Sequence, residues 1–452
     1  MSPQPDLFTQ EDASGAILAD LLSRARHVLV KKLSNNDRDW AQKPNKHQGG
    51  VYIPPAQRDG GFFPALADKL RADASAETIL EAYFQTEWPQ VAQQKKTRLV
   101  NYTSKGAETH MTGLPKAAFS ELAPASWLIM APKEDASEPT FICLTIDSSS
   151  DAASVLIDTL GLDADFAVGV LEPAAILAHE RDRILGFAEE VAVAWLAGDI
   201  VRFAGQRAAM PVTAELAILA RNQFLRCHAL TSLDPFALPN PGDAIREISR
   251  VIELELFRDF QRRERAVELV RAVFGEEPAE MDMKTVIRRM VDTVAEIDRI
   301  MLSASQQRKS RAGFSFEHHI EAMLKAGDIP FGKQVVIEAK KRPDFVLPSL
   351  SHLRKKFEGP ARGLILSAKT TLRERWKQVE REMGDSDLFL ATVDEGIAAN
   401  AIEDMASMNI VLVVPESLKT SRDTEYVRHA NVIDFATFFG SELRQRRMPA
   451  WD

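Results

Sequence analysis

The residues of this chain whose types and spacing could do chemistry sit in its second half. Pro343-Asp344 opens an apolar segment, and 25 residues after the aspartate a second apolar segment ends in Ser367-Ala368-Lys369. A carboxylate and an ammonium at the ends of two neighbouring strands suit phosphodiester hydrolysis. The acid offers an oxygen ligand to a divalent cation at the scissile phosphate, and the lysine places positive charge beside the phosphate or the attacking water. Magnesium takes oxygen ligands, usually one or two carboxylates, so a second acid is expected close by. Position 367 is a serine, and the acid must come from elsewhere. The next segment offers it, because Arg375, Val379 and Glu382 are spaced by four and then three residues and share one helical face. Arg373 and Arg375 suit a planar, bidentate grip on phosphate, whereas Trp376 reads as core packing. Glu317 is a fourth candidate, for orienting the hydrolytic water or a neighbouring cation, with a capped or solvated helix glutamate as the plain alternative. His318 and His319 are adjacent and face different sides of a helix, and without spaced His or Cys partners they do not read as a zinc site.

The elements that must position these residues alternate. FSFEHHIEAMLKAG reads as a helix, KRPDFVLPS and RGLILSAKT as strands, and RERWKQVEREMG as a helix. DLFLATVD follows as a strand, GIAANAIEDMASMN as a helix and NIVLVVP as a strand, so helices on both sides of a mixed sheet are expected. Before them, REISRVIELELFRDFQRRERAVELVRAVFG and DMKTVIRRMVDTVAEIDRIMLSAS read as two long amphipathic helices, and a helical zone begins near Pro173. Residues 1–165 differ. Short segments such as GGVYIPP, TRLVNYTS, SWLIMAP and TFICLTIDS, separated by turn residues, read as a mostly β domain.

Composition bounds the rest. The chain has 452 residues, 45% of them hydrophobic, which suffices for a sizeable core and two domains. Its two cysteines, Cys143 and Cys227, exclude a disulfide framework or a cysteine-rich zinc site and suggest a reducing, cytoplasmic setting. The start lacks the basic and apolar regions of a signal peptide, and no apolar run approaches the roughly 18 residues needed to cross a bilayer. A net charge of -9 hides strong local bias. Residues 24–105 hold 14 basic and 8 acidic side chains and residues 340–381 hold 12 and 4, while residues 134–199 hold 14 acids against Arg181 and Arg183. Two separate polyanion-facing surfaces follow as the hypothesis, with solvated charged faces as the alternative. In the first half, Lys31, Lys32, Asn35, Asn36, His47, Gln48 and Tyr52 carry groups able to reach phosphates or base edges. Lys95, Lys96, Arg98, Asn101 and Tyr102 form a second cluster that suits an opposing wall.

The runs KSRAGFSFEHHIEAML, KKRPDFVLPS and LILSAKTTLRERWKQV resemble the catalytic domain of EcoRII-type restriction endonucleases, within the PD-(D/E)XK nuclease fold. The resemblance implies Asp344 and Lys369 as the core catalytic pair and Arg373 and Arg375 as adjoining basic residues. It also implies Glu317 as the upstream acid and Glu382 as a relocated acid, with Asp344 and Glu382 holding Mg2+. LSNND and HQGGVYIPP resemble the amino-terminal effector domain of the same enzymes, a pseudobarrel like that of a plant transcription-factor class. That domain binds a copy of the target without cutting it, which implies DNA contacts from Lys31, His47, Tyr52, Lys95, Lys96 and Arg98. The segment RDWAQKPNK departs from the shorter family loop, so neither the base contacts nor the target sequence carries over.

The implied layout is multidomain: residues 1–170 a mostly-β effector pseudobarrel, 171–235 a helical connector, and 236–452 an α/β nuclease domain with a helical dimerisation region around 244–303. The implied function is a cytoplasmic Type II site-specific deoxyribonuclease. It would act as a homodimer on double-stranded DNA, take two target copies, be autoinhibited by its effector domain, and pair with a cognate cytosine methyltransferase. The alternative is a sequence-specific DNA-binding protein built on a silent nuclease scaffold.

Overall fold

In the first half, apolar residues recur at every second position, and this period builds a sheet. The computed structural model describes residues 7–42, 49–69, 78–106, 108–336, 342–355, 357–372 and 386–451. They divide into two compact units, the first comprising residues 1–178, 395–399 and 421–427, the second residues 179–394, 400–420 and 428–452. Among the described residues no helix is long and apolar enough to cross a membrane.

The first unit is one largely antiparallel sheet. Its strands are β1 (Val28–Lys32), β2 (Val51–Ile53), β3 (Ala67–Asp68), β4 (Ile79–Trp88), β5 (Gln93–Tyr102), β6 (Thr109–Thr112), β7 (Trp127–Pro132), β8 (Thr140–Ile146) and β9 (Val168–Leu171). They run in the order β2-β6-β5-β4-β8-β7-β1-β9, with β3 beside β4. Leu29, Phe84, Trp88, Leu99, Met111 and Phe141 point into one core. Val28, Val30, Trp127, Ile129 and Leu144 point to the other face and pack under two helices, α1 (Leu7–Arg24) and α4 (Asp151–Thr159). Strands β1, β7 and β8 are therefore buried on both faces, whereas the outer face of β4, β5 and β6 carries Tyr83, Lys96, Arg98 and His110. Two short helices, α2 (Asn35–Gln42) and α3 (Pro55–Asp59), fill connections.

Helices α1 and α4 depart from the mostly-β reading of residues 1–165. Each declares itself by spacing: Leu18, Leu21 and Leu22 are buried on α1, and Ala152, Ala153 and Leu156 on α4. Ser150 caps α4, its Oγ accepting from the Ala153 amide at 3.2 Å.

In the second unit the helices among the described residues include α5 (Pro173–Leu196), which starts in the first unit, α6 (Ile200–Phe203), α7 (Thr213–Cys227), α8 (Pro241–Glu247), α9 (Glu253–Phe274), α10 (Met283–Asp292), α11 (Val294–Ala326), α12 (Leu350–Arg354) and α13 (Ala399–Ser407). The sheet is β10 (Gly332–Lys333), β11 (Phe345–Leu347), β12 (Leu364–Lys369), β13 (Asp387–Thr392), β14 (Ile410–Val414) and β15 (Val432–Asp434), in that order. It is antiparallel through β10, β11 and β12 and parallel from β12 to β15, the mixed sheet expected from the alternating pattern. One boundary differs from expectation. The helix read across DMKTVIRRMVDTVAEIDRIMLSAS breaks at Thr293, whose hydroxyl turns back onto the Arg289 carbonyl, and α11 then runs unbroken through Ala326.

Candidate active site

Asp344 precedes β11, and Ser367, Ala368 and Lys369 end β12. Because the two strands are antiparallel, with Phe345 opposite Leu366, the head of one meets the tail of the other. The apolar run Leu364-Ile365-Leu366 buries β12 and brings its last residues to the edge of the core. Three donors then converge on Asp344 Oδ2: the Ser367 hydroxyl at 3.1 Å, the Ala368 amide at 2.8 Å and Lys369 Nζ at 2.8 Å. Oδ1 has no hydrogen-bond partner among the described residues. Ser367 is completely buried and serves as a donor to the acid, so a carboxylate there would meet Asp344 with like charge.

Glu317 arrives from α11. Its apolar neighbours Phe316, Ile320, Met323 and Leu324 bury one stripe of that helix, which turns Glu317 toward the end of β10. There Gln334 Nε2 donates to Glu317 Oε2 at 3.4 Å, and the Gln334 amide donates to the Asp344 carbonyl at 3.1 Å. Burial and then the charge of Asp344 push the Glu317 carboxyl above its usual range, with Lys369 opposing. One turn on, burial would raise Glu321, but hydrogen bonds from Lys325 at 2.7 Å and Lys333 at 2.5 Å bring it down to about 2. Two acids on one helix face are thus driven apart in basicity by their partners.

The structure therefore brings Asp344, Lys369 and Glu317 together. Arg373, Arg375 and Glu382, with the helix expected to carry them, lie outside the described residues. Among the described residues no group of three or more His, Cys, Asp or Glu side chains could hold a metal ion. Sequence reasoning missed Gln334. Nothing local marks it, because its place depends on a left-handed backbone (φ 49°) and on the pairing of β10 with β11.

The residues singled out in the first unit separate by strand alternation. Register places Tyr52 beside His110, Arg98 beside Tyr83, and Lys96 beside Gln85. Lys96 Nζ lies 5.0 Å from the Tyr83 ring centroid, and the Tyr52 and His110 rings are 5.9 Å apart. Arg98 stands 2.6 Å from Glu81 without hydrogen-bond geometry, so its Nε and Nη2 have no hydrogen-bond partner among the described residues. Lys95 alternates to the side of Thr97 and is exposed near the hairpin end. Lys31 is buried, its Nζ 3.0 Å from Asp37. His47 lies outside the described residues. Tyr83 and His110 were missed, although the alternation in ILEAYFQTEW puts Tyr83 on the outer face.

Residues 277–439 match the family model described as EcoRII C terminal. The chain is similar to the Type II restriction enzyme EcoRII of Escherichia coli, 34% identical over 142 residues, covering 31% of this chain and 35% of that protein. It is also similar to the Type II restriction enzyme SsoII of Shigella sonnei, 28% identical over 159 residues, covering 33% of this chain and 50% of that protein. The matched part thus spans between a third and a half of the length of these relatives. Among solved structures, metal-depleted Ecl18kI in complex with uncleaved, modified DNA aligns with a TM-score of 0.43 and 22% identity, over 56% of this chain and 80% of that one. The EcoRII-type resemblance read from the motifs of the second half is the one that the family model and the two restriction enzymes carry.

Proposed function

We propose that the chain, which matches the EcoRII C-terminal family over residues 277–439, is a Type II restriction endonuclease that cuts both strands of a specific duplex DNA sequence with Mg2+. The observation that carries the reading is the acid–lysine pair with an open carboxylate oxygen. Lys369, Ala368 and Ser367 hold one oxygen of Asp344 and leave the other without a partner among the described residues, with Glu317 alongside.

The donor set fits magnesium, since oxygen ligands are present and the crowding of Glu317 by Asp344 is what a divalent cation relieves. Asp344 and Glu382 would hold the ion. When bound, it supplies charge neutralisation at the phosphate and a more acidic water. The chain's own groups do the rest. Lys369 faces the charge that develops on the phosphate oxygens, Arg373 and Arg375 grip the backbone, and Glu317 orients the attacking water.

The first unit would read a second copy of the target through the outer face of β4, β5 and β6, with Lys96, Arg98 and Tyr52 on that face and Lys95 near its rim. His47 belongs to the same proposal. Lys31 would act through the clasp it forms with Asp37. Binding there relieves autoinhibition of the nuclease unit. Two active sites on a two-fold axis suit a symmetric target, so a homodimer through the helices around 244–303 belongs to the reading, as does a cytosine methyltransferase that protects the host.

The test is digestion of unmethylated plasmid DNA with magnesium, comparing the intact protein with Asp344→Ala. Discrete fragments lost in the variant are expected. No cleavage, even with oligonucleotide duplexes added as activators, would replace this reading by a DNA-binding protein on a silent scaffold.

A further inference from the structure

The helix that delivers Glu317 is held from its opposite edge by a buried polar cluster for which the proposed chemistry has no use. On α11, Ser315 and His319 lie one turn apart and Glu317 and Glu321 lie one turn apart, with the buried Phe316, Ile320, Met323 and Leu324 between the two pairs. At 3.6 residues per turn the two polar edges stand roughly 160° apart around the axis.

His319 is completely buried, and its ring is wired to two other helices. Arg221 Nη1, from α7, lies 3.3 Å from Nδ1, and since a guanidinium has no acceptor, Nδ1 accepts. The ring proton is therefore on Nε2, which donates to Oε2 of Glu253, the first residue of α9, at 2.7 Å. The Ser315 hydroxyl donates to the same carboxylate oxygen, and Arg221 also donates to the His318 carbonyl at 3.2 Å. Burial holds His319 below its usual range, against the pull of Glu253, which keeps it the neutral relay that this wiring requires. The cationic and anionic ends are thus joined through one imidazole.

Apolar packing alone leaves a helix some freedom to roll, because hydrophobic contact is non-directional, whereas these bonds fix both roll and axial position. A roll of about 20° would carry a carboxylate some 6 Å from the axis through about 2 Å. Displacements of that size cost on the order of 10²-fold in rate when the group must meet a reacting atom. We propose that Arg221, His319 and Glu253 are positioning residues that set where the Glu317 carboxylate stands against Asp344 and Lys369. The consequence for cleavage rests on the nuclease reading above.

The test uses the full chain with magnesium and a target duplex. His319→Leu is expected to slow single-turnover cleavage about 10- to 100-fold with duplex affinity kept within about twofold. His319→Gln, which restores a donor to Glu253, should recover most of the loss. In a Glu317→Gln background His319→Leu should cost nothing more, because its effect runs through that carboxylate. Full additivity in that background, or no rescue by glutamine, overturns the proposal. If His319→Leu does not fold, Glu253→Gln takes its place with the same expectations. If the wild-type protein itself does not cut, the nuclease reading fails, and amide hydrogen exchange decides the positioning separately. Exchange around residues 317–321 should rise at least about tenfold in His319→Leu, and unchanged exchange overturns the inference.

Discussion

Each unit of the molecule contains a buried or half-buried lysine–aspartate pair, and the two are bonded differently. In the first unit, Lys31 meets Asp37 at 3.0 Å with side chains 8% and 2% exposed. Both oxygens of Asp37 are occupied: Oδ2 also accepts from the Ser34 amide and hydroxyl, and Oδ1 accepts from the Tyr52 amide at 2.7 Å. The pair clasps β1, the start of α2 and β2. In the second unit, Lys369 meets Asp344 at 2.8 Å with side chains 26% and 12% exposed, and all three donors fall on one oxygen. The difference teaches that residue type and spacing do not tell whether the partners of an acid use both of its oxygens or only one. What distinguishes the two pairs is whether the acid keeps an oxygen whose lone pairs no described donor uses.

Four perturbations sharpen this contrast. The largest effect is expected for Lys369→Ala, which should lower cleavage by about 10²–10³-fold or more while duplex binding persists. Unchanged cleavage would remove the lysine from the chemistry and make the second pair as structural as the first. Next is Asp37→Ala, which strands a buried ammonium and should cost about 3–5 kcal/mol in urea unfolding, since removing one partner of a buried pair exposes its full desolvation penalty. A loss under 1 kcal/mol would show that the clasp is not holding the strands. A smaller effect separates recognition from scaffold: Lys96→Ala should flatten the salt dependence of duplex affinity by about one unit of slope, whereas Lys31→Met should leave the slope unchanged. Equal slopes in both would mean that Lys96 meets no phosphate.

The smallest effect is thermal. Burial and Asp344 raise the Glu317 carboxyl in the folded state, so ionising it costs the folded protein more than it costs the unfolded chain. Glu317→Gln should therefore raise the melting temperature at pH 7 even as it slows cleavage. The gain is full above the folded value and vanishes as pH falls below the ordinary glutamate value of 4.5. A lowered melting temperature at pH 7 would show that the carboxylate is compensated by partners beyond Lys369 and Gln334.

Much of the second unit was legible because its signals are local. Apolar runs such as LILSAK and NIVLVV admit few readings other than buried strands, and Asp344 and Lys369 stand at strand ends that the pattern itself locates. The first unit was legible in type but not in detail. Helix α1 was overlooked beneath polar residues, and one-residue alternation divided the basic cluster, sending Lys96 and Arg98 outward and Lys95 to the other side. His319 shows the limit most plainly. Its adjacency to His318 argues against a zinc site but gives no hint of its partners, Arg221 and Glu253, which lie 98 and 66 residues away.

By itself the sequence determined most element types of the second unit and its mixed sheet, the acid–lysine pair and the EcoRII-type resemblance, all of which depend on periodicity and motif within a few dozen residues. Only the tertiary structure decided that Lys31 is spent on Asp37, that Ser367 donates to Asp344, that Gln334 bridges to Glu317, and that His319 locks α11. Each of these depends on register and on packing between distant segments. A hydrogen bond between such segments is fixed by where folding brings their backbones, and no local pattern encodes that placement.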